Sequence, residues 1–157
     1  MSEGEKTKLV QIAEDLIGKP YKYGVRPEEA PEYFDCSSFV QYVFKKLGVW
    51  LPRTAIEQAM FGKKITRKNL KIGDVLFFHG EIGRYNKYFP QGIGHEAIYI
   101  GKNKVIHAER KRITGRYEDM YNPKKIKEIG AVALENLNKI IARKKLVVIK
   151  RFDVQSS

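Results

Sequence analysis

Residues 35–48 of this 157-residue chain read Asp35-Cys36-Ser37-Ser38-Phe39-Val40-Gln41-Tyr42-Val43-Phe44-Lys45-Lys46-Leu47-Gly48. Their apolar side chains recur at intervals of three and four residues, which predicts an amphipathic helix. Asp35 suits the N-cap of this helix, and Gly48 suits the position just after its end. Cys36 is then the first helical residue, where unpaired backbone amides and the helix dipole favour a thiolate. The only cysteine of the chain is therefore a candidate nucleophile, which we expect iodoacetamide to alkylate below the usual thiol pKa of about 8.5.

The composition is typical of one globular domain, which we expect to span residues 1–157. Hydrophobic residues make up 43% of the chain and charged residues 31%, and no apolar run is long enough to cross a membrane. A single cysteine cannot form an internal disulfide bond. Residues 1–6 are polar and do not resemble a secretory signal, so we expect a cytoplasmic protein. A secreted or otherwise delivered protein is the alternative if an export segment is missing from this sequence.

The chain is strongly basic, with 30 Lys and Arg residues against 18 Asp and Glu residues and a net charge of +12. Such a charge suits an anionic partner, whether nucleic acid, a membrane surface or an anionic wall polymer. The lysines are scattered, however, and no basic and aromatic pattern suited to stacking nucleic-acid bases is present. A lysine-rich solvated surface is therefore the simpler interpretation. The densest basic run, Glu109-Arg110-Lys111-Arg112, directly follows a candidate site strand.

The order of predicted elements favours an α+β fold, in which N-terminal helices pack on a central antiparallel sheet. The predicted helices are residues 7–17, the Cys36 helix, a short helix that a Thr54–Glu57 capping box begins, and residues 123–144. The predicted strands are residues 74–78, a hairpin of residues 95–100 and 104–108, and residues 146–152. The long loop at residues 79–94 is interpreted as functional or mobile, because loops of that length usually are.

Three histidines are available as a base for the thiol: His79, His95 and His107. Residues 101–103 are predicted to form a three-residue turn with Asn103 in the left-handed conformation. His95 then shares one sheet face with His107 as a diagonal neighbour, roughly 7–8 Å away at the backbone. His107 could therefore orient His95, whereas a two-residue turn would place the two imidazoles on opposite faces. We expect His79 to be an exposed loop residue.

Other interpretations of these residues are open. An isolated histidine in a strand is more often structural than catalytic, and a free cysteine is often a small buried apolar residue. One cysteine and three histidines could also bind zinc, but no CxxC or HxxxH spacing supports a metal site. The polar neighbours of Cys36, namely Asp35, Ser37 and Ser38, argue against a purely structural cysteine. We therefore expect neither a metal nor a cofactor.

Six short motifs, in order along the chain, resemble those of the NlpC/P60 family of papain-like cysteine peptidases. They are Tyr21-Lys22-Tyr23-Gly24, Asp35-Cys36-Ser37-Ser38-Phe39-Val40, Leu51-Pro52-Arg53-Thr54 with Gln58, Gly73-Asp74-Val75-Leu76-Phe77-Phe78, Gly94-His95-Glu96-Ala97-Ile98-Tyr99-Ile100-Gly101, and Val105-Ile106-His107-Ala108. Each motif alone is weak, but six in order are specific, and the resemblance covers roughly residues 9–110. The resemblance implies the papain-like NlpC/P60 fold, with an enlarged C-terminal helix and strand over residues 111–157.

The resemblance also implies a mechanism. Cys36 would attack an amide carbonyl as a thiolate, and His95 would take the thiol proton and later protonate the leaving amine. His107 would orient His95. Backbone amides at the start of the Cys36 helix would stabilise the oxyanion, a contribution often worth a few kcal/mol.

By the same resemblance, the substrate is a peptide, and the usual family substrate is a peptidoglycan peptide of the bacterial cell wall. Hydrolysis would occur at the γ-D-glutamyl bond to a diamino acid. Tyr23 would border the nucleophile, while Asp35 and Ser37 would bind the amino end of the substrate. Wall fragments imported into the cytoplasm would suit a protein without an export signal.

The sequence departs from the family pattern at several positions. Val25 stands where a second glycine is common, and Glu96 follows the base where a small apolar residue is usual. In the predicted register Glu96 points to the sheet face opposite His95. The loop at residues 79–94 is longer than usual, which suits a lid or a wall of the substrate site.

Two alternative functions are compatible with the same residues. A thiol acyl or amide transferase would keep the site and replace water with an amine, a choice that depends on how the site excludes water. A basic binding module for an anionic polymer would keep the fold without the chemistry. It would use Lys111, Arg112, Lys124, Lys125 and Lys127.

Overall fold

A six-stranded antiparallel sheet organises the computed structural model of the chain, which describes residues 1–80, 83–114 and 127–154. The strands are β1 (Lys63–Ile65), β2 (Val75–Phe78), β3 (His95–Gly101), β4 (Lys104–Thr114), β5 (Lys127–Asn136) and β6 (Leu146–Arg151). Their order across the sheet is β1-β6-β2-β3-β4-β5. The α-helices are α1 (Glu3–Asp15), α2 (Cys36–Lys46), α3 (Ala55–Gln58) and α4 (Leu137–Arg143). In the part of the chain that the structure describes, no helix is both long enough and apolar enough to span a membrane.

Both ends of α2 form as the sequence predicts. The carboxylate of Asp35 accepts a hydrogen bond from the Ser38 backbone amide at 2.8 Å, and the Ser38 hydroxyl accepts one from the Asp35 amide at 2.9 Å. This reciprocal capping box fixes Cys36 as the first helical residue. At the other end, Gly48 has a φ of 79° and donates to the Lys45 carbonyl at 3.0 Å, which ends the helix.

The prediction for the first helix needs changes at both ends, whereas the predicted start of the third helix does not. Helix α1 begins at Glu3 instead of residue 7, because Ser2 and Glu5 form a capping box that the prediction overlooked. It ends at Asp15, before the predicted residue 17. Thr54 is the N-cap of the short helix α3, as predicted.

The core has two layers of apolar side chains, one on each face of the sheet. On one face α1 and α2 pack against the strands, with Phe39, Phe44, Phe77 and Ile98 fully buried. The neighbouring strand residues point to the other face, where Leu76, Phe78, Ala97 and Val105 pack against Leu137 and Ile140 of α4. This alternation follows from the period of two in a strand. The α+β class and the helices packed on an antiparallel sheet are confirmed.

The β3–β4 hairpin differs from the prediction at its turn but not in its body. The turn has two central residues, Lys102 and Asn103, both with positive φ (51° and 61°). Gly101 pairs with Lys104, and a register shift between Tyr99 and Gly101 restores the pairing of Ile98 with Ile106. A two-residue turn alone would have put His95 and His107 on opposite faces. The extra residue of the bulge cancels that change, so the two histidines share one face.

The predicted helix over residues 123–144 is wrong for most of its length. Lys127–Asn136 forms strand β5, which pairs with β4 from Lys104 to Thr114, and only Leu137–Arg143 is helical. Residues 123–126 lie outside the described residues. Strand pairing over this long edge outweighs the helix propensity of an Ala- and Leu-containing segment. Gly130 permits the pairing, since a Cβ there would lie 2.2 Å from the Glu109 carbonyl oxygen.

A buried ion pair joins the start of β2 to the end of β6. Asp74 has no exposed surface, and its carboxylate accepts from Arg151 Nε at 2.7 Å and Arg151 Nη2 at 2.8 Å. The Lys71 backbone amide donates to the same carboxylate at 2.8 Å. The pair ties the start of β2 to the end of its neighbour β6.

We expect Asp74→Ala to lower the free energy of unfolding by about 3 kcal/mol, because the arginine loses its buried partner. Asp153→Ala is the matched control, since Asp153 is an exposed acid near the same arginine, and it should change stability by no more than about 0.5 kcal/mol. Urea unfolding measures both values. Equal losses in the two variants would show that the Asp74 pair does not hold the strands.

Candidate active site

A cleft of about 770 Å³ opens at the N-terminus of α2. Its lining includes five of the residues predicted from the sequence: Tyr23, Asp35, Cys36, Ser37 and His95. His107 is 1% exposed and forms the layer beneath His95. His79 also lines the cleft as an exposed loop residue, as predicted, and its Nδ1 lies 2.6 Å from the Gln91 carbonyl oxygen. The cleft therefore brings together residues that are far apart in sequence.

Cys36 reaches the cleft from the first turn of α2. Its thiol donates to the Gly94 carbonyl at 3.8 Å, directly beside His95 in the chain. Burial raises the pKa of this thiol well above its usual value, and the carboxyl groups of Glu96 and Asp35 act in the same direction. The Glu96 backbone amide and Arg53 oppose this rise in pKa but do not cancel it. This direction opposes the resting thiolate expected at the helix start, because desolvation acts against the helix N-terminus, while the Cys36 side chain itself is half-buried.

The two predicted imidazoles are in direct contact. His95 Nε2 lies 2.8 Å from His107 Nδ1, and the rings meet edge to face at 81° with centroids 5.0 Å apart. Burial lowers the pKa of His95 well below its usual value, and the neighbouring His107 and Lys144 lower it further. Burial also lowers the pKa of His107. Both rings are therefore neutral near pH 7, which leaves each with one N–H and one bare nitrogen.

A charged cluster behind the imidazoles was missed by the sequence analysis. His107 Nε2 lies 2.8 Å from Glu135 Oε2, and Arg143 donates to that carboxylate at 2.8 and 2.7 Å. Arg143 also donates to Glu109 at 2.9 and 2.7 Å. These contacts hold the pKa of both carboxyl groups below their usual value. Glu109 could have been found, because it follows His107 by two residues and so shares its face. Glu135 could not, because the prediction placed it in a helix.

Asp35 and Ser37, the predicted ligands of the substrate amino group, are engaged by Arg53. Asp35 Oδ2 accepts from Arg53 at 2.6 Å and from the Gly24 amide at 3.1 Å. Its Oδ1 accepts from the Ser38 amide and the Ser37 hydroxyl. Arg53 donates to the Ser37 hydroxyl at 2.8 Å. A carboxylate has about four acceptor positions, so all those of Asp35 are occupied.

Arg53 was not predicted as a site residue, although its motif was noted. Besides Asp35 and Ser37, it donates to the Val25 carbonyl at 2.9 Å. It thereby ties the segment with Tyr23 to the start of α2. Val25 itself is buried, 3% exposed, so the departure from glycine adds an apolar side chain to the core.

The long loop forms one wall of the cleft through its described residues 79–80 and 83–94. Arg84 and Ile93 exchange two backbone hydrogen bonds, at 3.1 and 2.8 Å, and both residues line the cleft. Glycines allow the loop to close tightly at its base. A Cβ on Gly94 would lie 2.8 Å from the Cα atoms of Gly80 and Gly83. This close approach places the loop beside His95.

Glu96 is a buried acid behind the nucleophile. It has no exposed surface, and neither carboxyl oxygen has a hydrogen-bond partner among the described residues. As predicted, it points away from His95, to the face on which α2 packs. Burial raises the pKa of its carboxyl group well above the usual value, the Asp35 charge adds to this, and Arg53 opposes it. Glu96 is therefore a neutral acid in the region of Asp35 and Cys36.

The donor atoms of His95, His107 and Glu109 lie within 4.8 Å of one another, close enough to share a metal ion. The geometry favours hydrogen bonding instead. The two imidazoles already share a 2.8 Å contact, and Glu109 is ion-paired with Lys111, Arg143 and Lys144. Three cations around the single carboxylate oppose a further positive charge.

Comparisons with known proteins agree with the geometry. The model of the NlpC/P60 family matches residues 18–139. The chain is 36% identical over 146 residues, 89% of its length, to the γ-DL-glutamyl hydrolase of Bacillus subtilis (strain 168), of which it covers 33%. It is 36% identical over 101 residues, 64% of its length, to the probable endopeptidase p60 of Listeria innocua, of which it covers 19%. The chain thus spans a third or less of these relatives.

Solved structures share the fold. An NLP/P60-family protein from Staphylococcus aureus aligns with a TM-score of 0.69 and 23% identity, over 100% of this chain and 43% of that one. The NlpC/p60 domain of the peptidoglycan hydrolase SagA aligns with a TM-score of 0.64 and 24% identity, over 94% of this chain and 98% of that domain. At these identities the likeness concerns the fold.

We expect the alkylation of Cys36 by iodoacetamide to have its pH midpoint above the ordinary thiol value of about 8.5. The reason is that burial disfavours the thiolate. Rates measured from pH 6 to 10, with the urea-unfolded protein as reference, give the midpoint directly. If the midpoint of the folded protein lies below that of the unfolded protein, Cys36 is a thiolate at lower pH, as its position at the helix start predicts.

We expect Glu96→Gln to stabilise the protein more at pH 7 than at pH 4. Below the unfolded pKa of about 4.3, the Glu96 carboxyl is protonated in both the folded and the unfolded protein, so its ionisation costs little stability. As pH rises above it, the unfolded chain ionises while the buried Glu96 stays protonated, so wild type loses stability that the variant keeps. Thermal unfolding at both pH values tests this, with the exposed Glu14→Gln as control. An equal effect at both pH values would contradict a raised pKa.

Proposed function

The chain belongs to the NlpC/P60 family, and on that premise we propose that it is a cysteine peptidase that hydrolyses peptide bonds in cell-wall fragments. One observation carries the proposal: His95 and His107 are in contact at 2.8 Å beside the cleft that holds the only cysteine. A nucleophile, a base and a group that orients the base are the parts that thiol-dependent acyl transfer needs.

The bond we propose is the γ-D-glutamyl bond to a diamino acid. Its support is the names of two relatives. One is a γ-DL-glutamyl hydrolase, and the other is a bifunctional muramidase/DL-endopeptidase of Bacillus subtilis, 38% identical over 103 residues. The cleft is lined by the Tyr23 segment, by Cys36 and by the long loop, and its volume of about 770 Å³ suits a peptide.

The resting pair is a neutral thiol and a neutral imidazole, so proton transfer accompanies attack. His95 takes the Cys36 proton as the sulfur adds to the carbonyl carbon, and the carbonyl oxygen becomes an oxyanion. Backbone amides at the start of α2 stabilise that charge. The imidazolium then protonates the leaving amine as the C–N bond breaks, which leaves a thioester. Water, deprotonated by His95, hydrolyses the thioester and returns the proton to Cys36.

The raised pKa of Cys36 and the lowered pKa of His95 both oppose a charge-separated resting state. Substrate contacts that stabilise the oxyanion therefore have to offset this cost in the transition state. His107 assists by holding the ring of His95 through its Nε2, which leaves the other ring nitrogen for the thiol proton.

Substrate binding at the amino end follows from the Asp35 contacts. We assign Tyr23 to the border of the nucleophile and Asp35 and Ser37 to the substrate ammonium group. Because the acceptor positions of Asp35 are filled, an incoming ammonium has to replace a donor. Gly24, Ser37 and Arg53 all line the cleft, and Arg53 is the charged donor among them. Peptides without a free amino group would lack a way to displace it.

Binding to an anionic polymer through the basic surface stays a prediction. Lys111 is ion-paired with Glu109 at 3.2 Å, while Lys124 and Lys125 and the side chains of Arg112 and Lys127 lie outside what the structure describes. The cytoplasmic location expected from the N-terminal residues also stays a prediction.

We expect wild type to cleave muropeptides with a free amino end and Cys36→Ala to cleave none, because the thiol supplies the attacking atom. Mass spectrometry of the products after incubation with a muropeptide mixture and short γ-glutamyl peptides identifies the bond. An N-acetylated copy of the cleaved peptide is the matched control and should be cut more slowly. Cleavage by Cys36→Ala, or no cleavage by wild type, would overturn the hydrolase. New amides formed from added amines would indicate a transferase instead.

A further inference from the structure

We propose that Glu135 is a positioning residue that fixes the proton positions on both imidazoles and so leaves Nδ1 of His95 bare to receive the Cys36 proton. The catalytic consequence rests on the proposed function, whereas the proton positions themselves do not. The inference comes from a chain of contacts that runs from β5 through β4 to β3.

The first link is the contact of 2.8 Å between Glu135 Oε2 and His107 Nε2. An ionised carboxylate can only accept hydrogen bonds, so Nε2 of His107 has to carry a proton. A neutral imidazole has a single N–H, and burial keeps His107 neutral near pH 7. Its Nδ1 is therefore a bare acceptor.

The second link is the contact of 2.8 Å between His107 Nδ1 and His95 Nε2. Since Nδ1 of His107 is bare, Nε2 of His95 has to donate. His95 is also neutral, so this single N–H is its only proton and its Nδ1 is bare. One carboxylate therefore determines the tautomers of two rings and sets the catalytic nitrogen as a base.

Arg143 keeps Glu135 ionised and in place. Its Nε and Nη2 donate to the two carboxylate oxygens at 2.8 and 2.7 Å. This bidentate pairing fixes the plane of the carboxylate. The side chain of Glu135 is only 15% exposed, so this pairing is partly shielded from water. Without the charge of the Glu135 carboxylate, the proton of His107 would no longer be confined to Nε2. Arg143 would still keep its contacts to Glu109.

Glu109 is the competing carboxylate, and its position shows why Glu135 is needed. Glu109 Oε2 lies 3.9 Å from His95 Nε2, farther than His107 Nδ1 at 2.8 Å. Two nearby cations, Arg143 and Lys144, contact Glu109 at 2.7 and 3.1 Å and hold it there. Glu109 therefore adds negative charge near His95 without taking its N–H from His107.

The alternative tautomer would disable the base. If His107 carried its proton on Nδ1, it would donate to Nε2 of His95, and the only proton of His95 would then occupy Nδ1. That nitrogen could not accept the thiol proton. Because a positioned base contributes about 10²–10⁴-fold to rate, we expect loss of tautomer control to lower kcat on the order of 10²-fold, with little change in KM.

The test is a long-range ¹H–¹⁵N NMR spectrum of histidine side chains in the intact protein at pH 7. Wild type should show protonated Nε2 and bare Nδ1 on both His95 and His107. Glu135→Gln keeps the shape but adds an amide N–H₂ that can donate to Nε2, so the Nδ1 signals of both rings should move toward the protonated form. Its kcat on a cleaved peptide should fall on the order of 10²-fold.

Glu29→Gln is the matched control, because Glu29 is also an ion-paired acid with a side chain 15% exposed, but it lies outside the histidine chain. Its spectrum should match wild type. Unchanged tautomers in Glu135→Gln, or a wild-type His95 protonated at Nδ1, would overturn the proposal. If the variant fails to fold, a wild-type spectrum with a proton on Nδ1 of either ring would still overturn the proposal. If no peptide is cleaved yet the tautomers respond as described, the proposed function fails and the positioning role stands.

Discussion

The double pairing of strand β4 is the constraint on which the site depends. One edge of β4 pairs with β3 and carries His107 against His95, and the other edge pairs with β5 and brings Glu135 to His107. A shift of one residue on either edge would turn a side chain to the opposite face. The bulge near Gly101 and the close approach at Gly130 are local features that allow both registers at once.

The site is built around neutral groups in a shielded environment. Cys36, His95 and Glu96 all have pKa values moved toward their uncharged forms, chiefly by burial. The ionised groups that line the cleft are paired, Glu109 with Arg143 and Asp35 with Arg53. In the proposed mechanism, charge develops at Cys36 only when substrate is attacked, and backbone amides at the start of α2 would stabilise the oxyanion.

Asp35 couples folding to the cleft. The same carboxylate caps α2, fixes the segment before Val25 through the Gly24 amide, and holds Arg53 against Ser37. Capping alone makes Asp35 important for stability, since losing such a cap typically costs about 1 kcal/mol. Any role in binding substrate is thus added to a structural role, and a change at Asp35 would affect both.

Local patterns in the sequence were enough to determine the helix that presents Cys36, because its caps and apolar spacing lie within fourteen consecutive residues. The face shared by His95 and His107 was also predictable from strand alternation, although the predicted turn was one residue too long and only the bulge preserved the pairing. Tertiary structure alone decided the rest. Strand β5 exists because its pairing with β4 overrides helix propensity, and with it come Glu135 and its contact to His107. Burial likewise arises from packing between distant segments, and no local pattern encodes it. It raises the pKa of Cys36, whereas the position at the start of a helix would lower it.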